Sequence, residues 1–478
     1  TGANNVAVGA YALDANTTAD SGTAVGYDAL TANTTGALNT AVGRHAMGVN
    51  TTGTLNVAVG AYALDANTTA NYNTAVGYAA LTDNTTGANN TAVGHTAAAN
   101  VTTGDKNIAI GDGALYTETT GDSNIAIGQV ALYTNNASNN IGIGQSALQV
   151  NTTGANNIAI GSSALIANTT GASNVALGAY ALDANTTANY NTAVGGSALG
   201  ANTTGANNVA VGYAALDANT TASHNIAVGS AALTDNTTGA ENTAVGGGSL
   251  GDNTTGHNNV GIGYNALVIN TGGGANIAVG SYALDANTTA DNNVAIGHHA
   301  LGANTTGASN TAVGYTAGRD LTTGGYNVAV GRQALMTTTT VNDNVAVGNN
   351  ALRLNATGTN NTALGSSALD ANLASHNTAV GKSAMAANTT GTRNTVVGNN
   401  AMDACTIGRY NVAMGYDALG TDIDGDNSVA LGYEALKTQE SSSANQSVMN
   451  VAVGAGAGQL LTTGIKNTFV GGQCGQAG

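Results

Sequence analysis

The sequence predicts an all-β fold: a parallel β-solenoid (β-roll or β-helix) of 28 coils with a 17-residue period. Three observations predict it. A glycine returns through Gly9, Gly26, Gly43, Gly60 and Gly77 to Gly454 and Gly471, 28 times, and 24 of the 27 intervals are 17 residues long. A short period held along a whole chain belongs to stacked coils. The three residues before the glycine follow one pattern, as in Ile108-Ala109-Ile110, with large β-branched residues flanking a small one. Such alternation favours a short strand. The coil then turns at Asn-Thr-Thr-Gly, as at Asn33 to Gly36, a triplet-plus-glycine whose Asn-Thr-Thr recurs in 15 coils. Asn and Gly tolerate left-handed backbone angles, so a turn is expected there.

The strand carries the first packing expectation. Its middle residue is Ala in 24 of 28 coils, with Gly142, Gly261, Val396 and Phe469 in the others. A water-facing strand position drifts among polar residues, and this one does not. The expectation is that something approaches that face closely: a second layer of the same coil, or another chain, with three chains side by side as the arrangement expected.

After the glycine come two variable residues and then Ala-Leu, as at Ala29-Leu30 and Ala164-Leu165. The leucine is the largest regular apolar side chain and is expected to fill the core. The coil closes with an almost invariant Asn four residues before the next glycine, at Asn5, Asn39, Asn56, Asn73, Asn90 and Asn107, with Gly22 an exception. A turn needing only left-handed geometry would alternate between Asn and Gly, so the amide itself is expected to form a ladder between coils.

Composition agrees with a thin core. Pro and Trp are absent, Phe occurs once, and charged residues make up 8%. Low complexity alone would suit disorder, but disorder does not impose a residue type at each position of a repeat. The net charge of −16 disfavours nucleic acid and anionic membranes as partners. No run of 18 apolar residues exists, so no membrane insertion is expected. The chain begins at Thr1 without Met, which suggests a processed or trimmed segment with flanking domains elsewhere. One repeat array over 1–478 is expected, with an irregular insertion at 437–449 and an atypical C-terminal coil at 454–478. At a rise of roughly 4.8 Å per coil the array would be a rod on the order of 130 Å.

Candidate sites are few. Asp422, Asp424 and Asp426 alternate around Gly425 like a calcium loop, while Asn427 is expected to fall on the asparagine ladder and a solvated acidic turn is the plainer reading. Asp14, Asp65, Asp183, Asp217, Asp285, Asp370 and Asp403 occupy one coil position but never in adjacent coils, which avoids stacking like charges near 5 Å. No other cofactor, no catalytic residue and no enzymatic role is expected. Tyr27, Tyr78, Tyr213, Tyr264, Tyr315 and Tyr416 directly follow the glycine. Exposed aromatic rings stack on sugars or anchor partners, so these form the candidate ligand surface; cover over coil backbone is the plainer role. The seven histidines scatter, and only His298-His299 cluster, where neighbours in a strand would point apart. The Asn-Thr-Thr triplets also fit the N-glycosylation sequon, and their Thr-Thr rows invite an ice-binding reading.

The string Asn73-Thr74-Ala75-Val76-Gly77-Tyr78, continued through Ala80-Leu81 to Asn84-Thr85-Thr86-Gly87, resembles repeats of phage tail fibres and bacterial surface proteins. Val294-Ala295-Ile296-Gly297-His298-His299-Ala300 also resembles the head repeat of trimeric autotransporter adhesins of the YadA type, although that repeat is shorter. The resemblance spans essentially the whole chain. It implies a β-roll or β-helix, a homotrimer or filament as the self-assembled form, and attachment to a host glycan or receptor, outside a cell or on a virion. Ice binding is the alternative.

Overall fold

In a computed structural model the chain is described over residues 2–444 and 446–476. It divides into two compact units, residues 1–238 and 239–478. The first carries fourteen strands, from β1 (Val6–Val8) to β14 (Ile226–Val228), and the second fourteen, from β15 (Thr243–Val245) to β28 (Thr468–Val470). Every strand is three residues long and ends at the period glycine. Within each unit successive strands pair in parallel and in register, as in Thr74↔Thr91, Ala75↔Ala92 and Val76↔Val93. Each unit is therefore a parallel β-solenoid. The irregular steps leave register intact, since Ile125 still pairs with Ile141 and Val429 with Val451. The extra residues of the 437–449 region loop out, tied back by a bridge between Asp426 and Ser447.

The middle residue of the strand points into the coil of its own chain. Ala24, Ala75 and Ala159 are fully buried in a single chain, as are Leu30, Leu64 and Leu81. At Gly142, which replaces this alanine, a Cβ would lie 3.1 Å from both the Leu132 side chain and the Ala147 carbonyl. The expected packing of three chains through the alanine face is thus corrected: the coil's own Ala-Leu segment covers it. The β-branched residues face outward instead.

The period glycine is required by closeness as well as by backbone angle. Gly77 has φ of +140°, and a Cβ there would sit 2.2 Å from the Gly94 carbonyl oxygen of the next coil. At the Asn-Thr-Thr-Gly turn the expected left-handed angles do not occur. Gly36 is glycine because a Cβ would meet the Gly53 carbonyl at 2.2 Å. The left-handed residues of that coil are Asp28, Leu30 and Leu38, all with φ between 51° and 60°.

For L-residues this costs about 1 kcal/mol or more apiece. The same amides offset the cost through neighbouring coils: Leu30 N–H donates to the Ala46 carbonyl (3.0 Å), Asp28 N–H to Ala10 (3.1 Å) and Leu38 N–H to Asp20 (3.0 Å). Winding and stacking are one event, because the strained turns find their partners only in the stack.

The C-terminal coil is atypical in a compensated way. Gly458 stands where leucine fills other coils, and Phe469 stands where alanine lines them. A Cβ on Gly458 would lie 2.8 Å from the Phe469 ring, so the ring takes the missing leucine's space. Gly261 shows the reverse compensation, with the Ser249 hydroxyl donating to its carbonyl at 2.8 Å.

Candidate functional surfaces

Two asparagine rows run through the interior. In the row four residues before the glycine, each amide oxygen accepts the backbone N–H of the next asparagine. Asn39 accepts from Asn56, Asn56 from Asn73 and Asn73 from Asn90, each at 2.9 Å, and Asn90 from Asn107 at 2.8 Å. Most amide nitrogens of the row donate to a carbonyl of the next coil, as Asn73 to Gly87 at 2.8 Å. Asn5 begins the row, accepting from Gly22 N–H at 2.7 Å. Ser428, not Asn427, occupies this row and donates its N–H to Asn411 at 2.8 Å. Asn427 lies one residue earlier, with its amide on the Ser447 hydroxyl.

The second row lies seven residues after the glycine, in the asparagine of Asn-Thr-Thr. Here side chain meets side chain: Asn50 donates to Asn33 at 2.8 Å and Asn67 to Asn50 at 2.7 Å. These asparagines are buried, so the sequon reading meets a side chain turned into the core. Sequence reasoning missed this row because the triplet looked like surface turn chemistry; its 15-fold recurrence was the available signal.

The row breaks where another residue intervenes. The amide oxygens of Asn84, Asn304 and Asn388 are buried without a partner. The next coil presents Val101, Leu321 and Cys405 at the matching place, two residues that cannot donate and one weak donor. At Glu118 the row holds a buried carboxylate, which accepts from Gly121 N–H (2.6 Å), Asn124 (3.2 Å) and Asn135. Burial pushes this carboxyl up to about 7 despite those donors.

Asp422 occupies the same row. Its carboxylate accepts from Gln439 (2.6 Å) and Gly425 N–H (3.1 Å), while burial raises its proton affinity. Asp426 pairs with Arg409 at 3.0 Å. Asp424 gives its backbone N–H to the Asp422 carboxylate while its own side chain is half-buried, and no group of three or more His, Cys, Asp or Glu side chains among the described residues is placed to hold a metal ion. The three carboxylates named as calcium candidates thus stand as one core rung, one ion-pair partner and one half-buried side chain. Cys405, a coil earlier in the row, has its thiol pushed up to about 12 by burial.

Outside, the candidate tyrosines fall in separate groups within each unit. Tyr27 and Tyr78 belong to a file of rings running Tyr11, Tyr27, His45, Tyr62, Tyr78, His95, with centroids 5.5–6.0 Å apart. Tyr264 and Tyr315 bracket a second file through Tyr282, His299 and His298. Tyr416 stacks on Tyr433 at 5.5 Å. Tyr213 is 69% exposed and stands apart from these files. His298 and His299 touch at 4.3 Å because they lie in a turn, not a strand as expected.

The Thr-Thr pairs split in role. The first hydroxyl donates to the carbonyl of its counterpart one coil on, as Thr34 to Thr51 (3.0 Å) and Thr322 to Thr339 (2.9 Å). The second, such as Thr35, is exposed, while the first is half-buried in most coils and exposed in a few, as at Thr17 and Thr152. No helix is long and apolar enough to cross a membrane among the described residues. No protein-family model matches the chain, and neither does any curated protein.

Proposed function

We propose that this chain is a structural fibre or adhesin stalk, extracellular or on a virion, that mediates attachment to a host cell or surface. The observation that carries the reading is the contrast between inside and outside. Inside, Asn, Ala and Leu are consumed by coil stacking; outside, aromatic rings gather into files such as Tyr11 to His95 on a rigid, repeating support. Large amphipathic rings held on ordered backbone suit recognition of a glycan or protein receptor, because little side-chain entropy is lost on contact. Ice binding is the less supported reading, since the first threonine of each pair is turned to a neighbouring carbonyl.

The test is binding of the purified chain to an array of immobilised glycans and to host-derived surfaces, with Tyr62→Ala and Tyr78→Ala as probes of the first file. Retention that falls with either substitution supports attachment. No binding to any surface, with compact particles in electron micrographs, overturns it.

A further inference from the structure

We propose that the outward face of the strands in each unit is covered by a second copy of this chain. The proposal rests on the fibre reading above, naming the chain's partner within the fibre, and not on what the fibre binds. In every one of the 28 strands the last residue is Val, Ile, Leu or Met, and the first is Val, Ile or Thr. None of the 10 basic or 26 acidic residues falls on either position. Yet these side chains face water in the single chain, with Ile110 39% and Ile160 40% exposed.

A scattered exposed valine needs no explanation, but an unbroken apolar file of last residues through fourteen successive strands, beside an uncharged file of Val, Ile and Thr, does. The strip is richest in Ile108–Ile110, Ile125–Ile127, Ile141–Ile143 and Ile158–Ile160, four successive strands whose outward residues are all isoleucine.

Its dimensions point to the occupant. Three residues span about 10 Å and fourteen strands at about 4.8 Å spacing span about 67 Å, so each unit offers roughly 650 Å². Two copies meeting there would bury about 1,300 Å² in total, within the range of stable interfaces. A partner that covers such a strip continuously must itself be uncharged, apolar and repeat at the pitch of a parallel sheet. The same face of another copy meets all three conditions, rung against rung. The net charge of −16 opposes association from outside the strip, so added salt strengthens the assembly.

The experiment is sedimentation of the full chain at micromolar concentration, with strand content followed by circular dichroism. The chain is expected to sediment as an assembly. Ile110→Lys/Ile127→Lys/Ile143→Lys is expected to keep the strand signal and weaken association roughly a hundredfold or more, because lysine in an apolar contact leaves unpaired charge. Thr86→Lys/Thr103→Lys/Thr120→Lys, with the same added charge on exposed turns, is expected to stay assembled. Should the isoleucine triple lose its strand signal, threonine at the same three sites is the gentler variant and must still weaken assembly. A wild-type chain that sediments singly, or isoleucine variants that assemble like wild type, overturns the proposal. Loss of receptor binding with assembly intact would count against attachment alone.

Discussion

The two asparagine rows lie a few ångströms apart in the same core and accept change very differently. The row before the glycine departs from Asn at Gly22 and Ser428; the row after it admits Val101, Glu118, Leu321, Thr338, Cys405, Asp422, Gln439 and Leu461. The hydrogen bonds explain the contrast. Before the glycine, the asparagine oxygen receives a backbone N–H, so its loss would leave a buried donor without a partner. After the glycine, the oxygen receives another side chain, so a lost rung orphans only an amide oxygen, as at Asn84, Asn304 and Asn388. Buried orphan N–H groups are rarer in proteins than under-satisfied carbonyls. The chain tolerates the cheaper vacancy.

The largest expected effect breaks the stricter row. Asn73→Ala removes two hydrogen bonds and orphans the Asn90 N–H, and should cost about 4 kcal/mol in urea unfolding. Asn67→Ala in the other row should cost about 2 kcal/mol. Equal costs would refute the account.

Next is Glu118. Its folded pKa of about 7 lies above the ordinary 4.5. A raised carboxyl favours the folded state when protonated, so the wild-type chain should lose stability as pH rises from 4.5 through 7. Glu118→Gln should remove the part of that slope lying between pH 4.5 and 7 that Glu118 contributes and be about 3 kcal/mol more stable at pH 8, with little difference at pH 4. Thermal unfolding across this range is the check.

A smaller effect sharpens the comparison from the other side. Val101→Asn supplies the missing donor to Asn84 and should gain about 1 kcal/mol. The gain should grow when combined with Glu118→Gln, which completes the row. Smallest in energy but clear in readout is thiol labelling: Cys474 should react in the native chain, while buried Cys405 should react only after unfolding.

The coil period, the strand and the pre-glycine ladder were all legible in the sequence, because each repeats in a residue type with a single physical use. The direction of the strand's faces was not. Alternation announces two faces without saying which is inside, and here the narrow interior admits alanine opposite leucine, so the larger residues were pushed out. The left-handed angles were hidden for another reason: they fall on Asp28, Leu30 and Leu38, whose propensities argue against them and are overruled by inter-coil hydrogen bonds. Ring files were illegible because Tyr27 and His45 become neighbours only once a coil closes. The place of Asp422 was illegible because an Asp that continues a core row looks, in one dimension, like a ligand.

One feature of the backbone bears on how the molecule is made. Some amides of a coil donate backward, as Gly26 to Val8, and others forward, as Leu30 to Ala46. A nascent chain leaving the ribosome therefore cannot complete its newest coil until the following segment has emerged. The end of a growing stack is therefore always one repeat short of its full set of hydrogen bonds.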